Sequence, residues 1–270
     1  MGGEAFKPNK KLLWGVQGGG FLEKSPPGRQ EKPWYVEWFD ENYLEVYRHR
    51  NTEDAQKQVQ LIIDTLKLPK QSKILDLGCG EGRYTAVLKD RGYRVLGLDL
   101  SKTLIKYGKK NDPQLNLAVG DMRYIPGRFD LILSLFTSFG YFEKDEENER
   151  VVRSVYQSLD RGGIYWLDFL NAGYVQKNLV PESTSCLPPG INVLEKRKIT
   201  GGRIIKDIYF KKSGTEKCYR ESVRLFTPQE LENMFQENGF RVEHCFGDYN
   251  GNPCTPDSER TILVGKKQDE

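Results

Sequence analysis

Lys73-Ile-Leu-Asp-Leu-Gly-Cys-Gly-Glu-Gly-Arg83 is the stretch that decides the fold. Ile74, Leu75 and Leu77 read as a buried strand that runs into a turn at Gly78, Gly80 and Gly82 and then into a helix. Glycines at such a turn let the backbone approach a ligand with no Cβ in the way. The helix start behind them offers unpaired N–H groups. The spacing is Gly-x-Gly-x-Gly, and a dinucleotide fingerprint would need a glycine where Arg83 stands. That departure points to a nucleoside ligand without a pyrophosphate and away from a nicotinamide oxidoreductase.

Downstream, Tyr93-Arg-Val-Leu-Gly-Leu-Asp99 is a second buried strand, and it ends in an acid. A carboxylate at the tip of the second strand of a βαβ unit accepts ribose hydroxyls in nucleoside-binding α/β folds. The plainer reading of Asp99 is a helix N-cap, with Ser101 as its rival for that job.

Around these motifs, strands and helices alternate. Thr52 to Leu66 has helical spacing, with Thr52 as its N-cap. Strand 73–77, helix 82–91, strand 93–98, helix 102–110 and strands 115–119 and 129–135 follow. Helix 145–159 ends at Gly162-Gly163, and strand 163–169 comes next. This order predicts a parallel sheet with helices on both faces. The rhythm breaks after Asn171. Residues 191–226 read as three meander strands, with turns at Gly201-Gly202 and Ser213-Gly214. It returns with Thr227-Pro-Gln-Glu230, a helix start with proline in its first position, then strands 240–246 and 260–265.

The expected architecture is therefore an α/β, Rossmann-like, doubly wound sheet. It is mostly parallel with an antiparallel C-terminal strand, and it carries a small antiparallel β insertion and an N-terminal helical cap. Residues 1–51 form the arm and cap, 52–171 with 227–270 the core, and 172–226 the insertion. Residues 1–33 are rich in Gly, Pro and Lys and read as a mobile arm. From Trp34 to Tyr47 the aromatic density demands cover, either as a helix packed on the core or as a lid over the ligand.

Asp76-Leu-Gly-Cys-Gly-Glu-Gly82, Asp99, Gly120-Asp121-Met122 and Phe129-Asp130-Leu131-Ile132 resemble the successive motifs of class I S-adenosylmethionine-dependent methyltransferases. The resemblance covers residues 50–171 well and the C-terminal end more loosely. It implies S-adenosylmethionine as cofactor and S-adenosylhomocysteine as product. In an open α/β sheet the ligand sits beyond the C-terminal ends of the strands. That places Gly78, Cys79, Gly80 and Gly82 against the methionine part and the ribose, with Leu100 beside Asp99. By the resemblance, Asp76 orients the amino group, Asp121 meets the adenine amino group and Met122 its ring. A plain turn capped by Asp121 is the alternative. Cys79 reads as a small spacer, since nothing in its motif supplies a base.

Leu135-Phe-Thr-Ser-Phe-Gly-Tyr-Phe142 resembles the corresponding stretch of glycine and sugar-amine N-methyltransferases. The backbone of Leu135 would meet the cofactor's amino group, and Tyr141 would border the sulfonium and the acceptor. An aromatic plug at the sheet edge is the rival reading. Arg50 would pair with the methionine carboxylate, unless Tyr47-Arg-His-Arg50 is only a solvated basic turn. The acceptor is expected near residues 244–260. There His244 is a candidate base, although a histidine inside a strand is more often a satisfied structural one. The chain has only two histidines, so a base is hard to find, which favours nitrogen or an already acidic oxygen as the acceptor.

Composition narrows the partners. The 270 residues carry 41 basic and 38 acidic side chains, a net +3. So even a balance does not suggest nucleic acid, which calls for a strong basic excess. No apolar run approaches a membrane span, and Leu12, Leu13 and Trp14 are followed at once by glycines, unlike a secretory leader. Five cysteines without a Cys-x-x-Cys motif argue against a zinc site and for a reducing cytoplasm. No metal is expected. The expected protein is a monomeric or homodimeric methyltransferase of a small-molecule acceptor. The alternatives are an RNA or protein methyltransferase and a non-catalytic binder of the same cofactor.

Overall fold

In a computed structural model, residues 32–47, 52–188, 190–212 and 214–268 are described. The expected parallel sheet is present, with strand order β10-β11-β5-β4-β1-β2-β3. These strands are β1 (Lys73–Leu77), β2 (Arg94–Asp99), β3 (Leu117–Val119), β4 (Phe129–Ser134), β5 (Leu159–Leu170), β10 (Phe240–Phe246) and β11 (Arg260–Lys267). β1 pairs in parallel with both β2 and β4, so the winding reverses at β1. β11 runs antiparallel to its neighbours β5 and β10, as the C-terminal strand was expected to do. The reversal leaves a crevice at the C-terminal ends of β1 and β4, the usual place for a ligand in such sheets.

Alternation along the strands explains the two helical layers. Leu75 and Leu77 of β1, Ile132 of β4 and Tyr165, Leu167 and Phe169 of β5 pack into one core. Into the same core pack Val151, Val152 and Val155 of α6 (Asp145–Ser158) and Leu231, Met234 and Phe235 of α8 (Pro228–Glu237). The alternate residues Ile74, Leu131, Leu133 and Trp166 face the other way. They meet Ala55, Val59 and Ile62 of α3 (Thr52–Leu66) and Tyr84, Val87 and Leu88 of α4 (Arg83–Asp90). A strand that presents both faces to helices needs apolar residues on both, which is why these strands read as continuous apolar runs.

Helix starts follow local chemistry. Thr227 opens α8 with a capping box shared with Glu230. Ser101, not Asp99, is the N-cap of α5 (Lys102–Asn111), its Oγ accepting the Leu104 N–H at 3.1 Å. Three expectations needed correction. α6 ends at Ser158, and β5 already starts at Leu159, so Gly162-Gly163 lies inside the strand. A short helix, α7 (Ala172–Lys177), was not expected; the Asn171 side chain caps it by accepting the Gly173 N–H at 3.0 Å. The three meander strands expected over 191–226 are present, β7 (Ile191–Thr200), β8 (Arg203–Lys212) and β9 (Thr215–Arg224), but a fourth, β6 (Glu182–Leu187), precedes them unforeseen. β6 is a largely exposed edge strand of polar and small residues, so it carries no apolar alternation to read.

The aromatic N-terminal segment forms helices, and these pack on the meander sheet. α1 (Trp34–Glu37) and α2 (Glu41–Val46) place Trp34, Trp38 and Val46 against Ile191, Val193, Ile208 and Phe210 of the meander sheet. Trp38 is 1% exposed, and its indole donates to Glu221 at 2.6 Å. The Glu221 carboxylate also accepts from Lys206 at 2.7 Å and from the Tyr47 hydroxyl at 2.9 Å. Despite burial, the charge of Lys206 and these bonds hold the Glu221 carboxyl below its ordinary range. Ser101 donates to the Phe39 carbonyl at 2.7 Å and so ties the cap to the start of α5. Among the described residues, no helix is long and apolar enough to cross a membrane.

Candidate active site

A cavity of ≈ 240 Å³ opens at the crevice beside β1. This is close to the small end of the ~300–1,000 Å³ typical of small-molecule sites. One wall is the glycine turn with Glu81 and Arg83, a second is Leu98, Asp99 and Leu100 at the tip of β2, and a third is Gly120, Asp121 and Met122 after β3. Leu135, Phe136, Ser138, Tyr141 and Phe142 form a fourth wall, and Tyr35, Phe39, Tyr43, Leu44 and Tyr47 close the cavity from the cap.

The glycine turn needs its glycines. Gly78 and Gly80 have φ +75° and +60°, where a Cβ is strained. A Cβ on Gly78 would lie 2.6 Å from the Ser138 Cβ, so two walls touch there with no room to spare. A Cβ on Gly80 would meet nothing nearer than 3.8 Å. Its absence leaves backbone open to the cavity.

Asp99 holds this turn in place. Its Oδ2 accepts the Gly80 N–H at 2.8 Å and its Oδ1 accepts the Ser101 N–H at 2.8 Å. A carboxylate oxygen has two lone-pair sites, so each retains one for a ligand hydroxyl. Burial raises the Asp99 pKa, against the pull of those two N–H groups.

Asp121 is bound to Arg123, whose Nε approaches its two oxygens at 3.0 and 3.1 Å and whose Nη2 lies at 2.5 Å. Partial burial pushes its carboxyl up, but the Arg123 bonds and charge outweigh this and hold it low. Arg123 also pairs with Glu147 and lies 4.6 Å from the Phe142 ring centre. Asp121 is thereby a fixed anion at the cavity rim. The Tyr141 ring lies against Trp34 and Phe39 of the cap, at centroid distances of 4.8 and 5.9 Å. It closes the seam between cap and sheet and does not merely plug an edge. Cys79 is 7% exposed, and burial pushes its thiol well above the usual range, so it is inert as a nucleophile.

The cavity thus brings together Gly78, Cys79, Gly80, Asp99, Leu100, Asp121, Met122, Leu135 and Tyr141 of the residues expected from sequence. Gly82 stands one step back, as the N-cap of α4 with φ +88°. Two more residues lie outside the cavity wall. Asp76 is 1% exposed and turned towards α4, where its Oδ2 accepts the Thr85 hydroxyl at 2.7 Å and its carboxylate also takes the Thr85 N–H. It fills an N-terminal hydrogen-bonding position of the helix and is not among the residues that line the cavity. His244 is exposed on the outermost strand, β10, and stacks on Phe246 at 5.3 Å. The expectation of a base there fails because β10 lies at the far edge of the sheet from β1. Arg50 and His49 lie outside the described residues.

The 244–260 stretch reaches the site only indirectly. Arg260 and Tyr249 bind Asp168 at the end of β5, and Asp168 binds the turn after β4. In that turn Phe136 and Thr137 have φ 53° and 63°. Two adjacent non-glycine residues in the left-handed region cost about 1–2 kcal/mol each. Sequence reasoning also missed Glu81, Arg83, Phe136 and Ser138 at the cavity. Ser138 becomes visible only through its contact with Gly78, which no local pattern encodes.

A family model described as "Methyltransferase domain" matches residues 74–163. The chain is 26% identical over 198 residues to a dTDP-3-amino-3,4,6-trideoxy-alpha-D-glucopyranose N,N-dimethyltransferase of Streptomyces venezuelae, covering 68% of this chain and 82% of that protein. It is 26% identical over 147 residues to the glycine N-methyltransferase of Mus musculus, covering 47% of this chain and 48% of that one. In fold it is similar to the sugar N-methyltransferase KedS8 from Streptoalloteichus sp ATCC 53650, with a TM-score of 0.70 and 17% identity over 93% of this chain and 100% of that one. Together with the seven-stranded sheet, these likenesses support a class I S-adenosylmethionine-dependent methyltransferase.

Proposed function

We propose that the protein methylates an amine of a small-molecule acceptor held between the glycine turn and the aromatic cap. The observation that carries this is the make-up of the cavity's outer half. Tyr35, Phe39, Tyr43, Tyr47 and Tyr141 surround it. Aromatic faces attract an amine that arrives protonated; it gives that proton to solvent before it attacks, and the same faces exclude water once the cap is seated. A neutral amine reacts without a general base, whereas a hydroxyl or carbon acid needs one. Two of the relatives named above act, by their names, on an amino sugar and on glycine, which supports an amine.

S-adenosylmethionine supplies the electrophilic methyl group when bound. The chain's residues position and shield. Asp99 offers two oxygens to the ribose, the Gly78–Gly80 backbone accepts the ligand closely, and Gly120 to Met122 border the adenine. Leu135 and Tyr141 face the reacting end. Aligning two reactants in this way is worth up to ~7–11 kcal/mol in favourable cases. Asp76 supports the turn from behind. In this reading residues 52–171 with 227–270 serve the donor and 172–226 with the cap serve the acceptor. The protein works in a reducing cytoplasm, as a monomer or homodimer, without a nucleic-acid partner. Its five cysteines are free thiols, which fits that compartment.

The test is a panel assay with labelled S-adenosylmethionine. Amino sugars, simple amino acids, phenols and unmodified RNA are offered in parallel. Methyl transfer confined to amines supports the reading. Transfer to phenols or RNA, with amines inert, would remove it.

A further inference from the structure

The turn after β4 is held from behind by groups that do not touch the cavity. Asp168 is 1% exposed at the end of β5, and its Oδ2 accepts the Phe136 N–H at 3.0 Å while its carbonyl accepts the Thr137 N–H at 3.1 Å. Arg260 comes from β11 and is 12% exposed in its side chain. Its Nε donates to Asp168 Oδ1 at 2.7 Å and its Nη2 to the Thr137 hydroxyl at 3.0 Å. The Tyr249 hydroxyl adds a bond to Asp168 Oδ2 at 3.0 Å. Three segments distant in sequence therefore converge on two residues, Phe136 and Thr137, with left-handed φ.

What they fix faces the ligand. Leu135, Phe136 and Ser138 line the cavity. The Phe136 ring lies 5.3 Å from the Arg83 guanidinium and 5.9 Å from that of Arg260. Ser138 sits against Gly78 and donates to the Leu77 carbonyl at 3.2 Å, joining the turn to the glycine motif. Left-handed conformers of Thr are rare without such support, and strain of this kind persists where the surroundings over-determine it.

We infer that Asp168 and Arg260, steadied by Tyr249, are positioning residues for the methyl donor: their ion pair locks the Phe136–Thr137 turn so that Leu135, Phe136 and Ser138 shape the donor's wall. The inference rests on the assignment of this cavity to the donor. Asp168→Asn removes the charge while keeping the size. Its amide must offer N–H either to Arg260 or to the donors at Phe136 and Tyr249, so one side of the clamp is lost. Thr137→Gly supplies a residue that adopts the left-handed region without help.

Calorimetry with S-adenosylhomocysteine on the full chain reads the outcome. Asp168→Asn is expected to weaken binding by about tenfold, the scale of one charge-assisted hydrogen bond. Adding Thr137→Gly is expected to restore most of that loss without restoring the melting temperature, because only the turn is repaired. Tyr249→Phe leaves no buried charge unpaired and serves if Asp168→Asn does not fold. It should weaken binding several-fold with a nearly unchanged melting temperature. Wild-type affinity in Asp168→Asn or Tyr249→Phe, or a loss in Asp168→Asn that Thr137→Gly leaves in place, overturns the inference. Asp99→Ala separates it from its premise. If Asp99→Ala weakens binding and the clamp variants do not, the clamp is wrong; if none does, the donor site itself is misplaced.

Discussion

Replacing Asp76 with asparagine should make the protein more stable at neutral pH than at acid pH, relative to the wild type. Asp76 is buried at 1% exposure, and burial raises its pKa from 3.8 to about 6 in spite of the Thr85 bonds. The folded state therefore binds this proton more tightly than the unfolded chain does. Stability falls as pH rises from the unfolded pKa through the folded one, and the full cost is present above about pH 6. A shift of about two units corresponds to roughly 3 kcal/mol. Asparagine keeps an oxygen for the Thr85 hydroxyl and N–H but buries an NH2 group, whose desolvation returns about 1–3 kcal/mol if it finds no acceptor. That second cost is the same at every pH. Urea unfolding of both proteins at several values between about pH 4 and pH 8 gives the difference directly. Its change across the range, about 3 kcal/mol in favour of asparagine, is the predicted quantity. A difference independent of pH, or one that grows towards acid, would refute the burial argument.

Three further outcomes are expected. Gly78→Ala places a Cβ 2.6 Å from Ser138 at a φ of +75°, so it should abolish donor binding in calorimetry and lower stability by about 1–2 kcal/mol or more. Trp38→Ala empties a fully buried site between cap and meander and takes one donor from Glu221; chemical denaturation should show a loss of about 3–5 kcal/mol. In the native protein, Cys79 should resist iodoacetamide at neutral pH while the exposed Cys186 is alkylated, as peptide mass mapping would show.

The core of the fold was legible because it is local and periodic. β1, the glycine turn, β2 and the α8 capping box each carry their own signal in adjacent residues. Asp99 was legible for the same reason, as a carboxylate at a strand tip. What was not legible depends on contacts across the chain. Asp76 stands in the motif, yet its carboxylate is drawn to Thr85 of α4, nine positions on. His244 looked chemical because histidines are rare here, but sheet order puts it on the outermost strand. β6 has no apolar face to announce it, since only one of its edges is paired and most of it is exposed. The Asp168–Arg260 pair joins residues 92 positions apart and appears only when β5 and β11 lie side by side.

The central claim is that the Gly78–Gly82 turn and Asp99 together bind the adenosyl group of S-adenosylmethionine. Titrating wild-type protein and Asp99→Ala with S-adenosylhomocysteine tests it most directly. One site is expected in the wild type and a weakening of about a hundredfold or more in the variant, from two lost charge-assisted hydrogen bonds and a slackened Gly80 backbone. Equal affinity in the two proteins would contradict it.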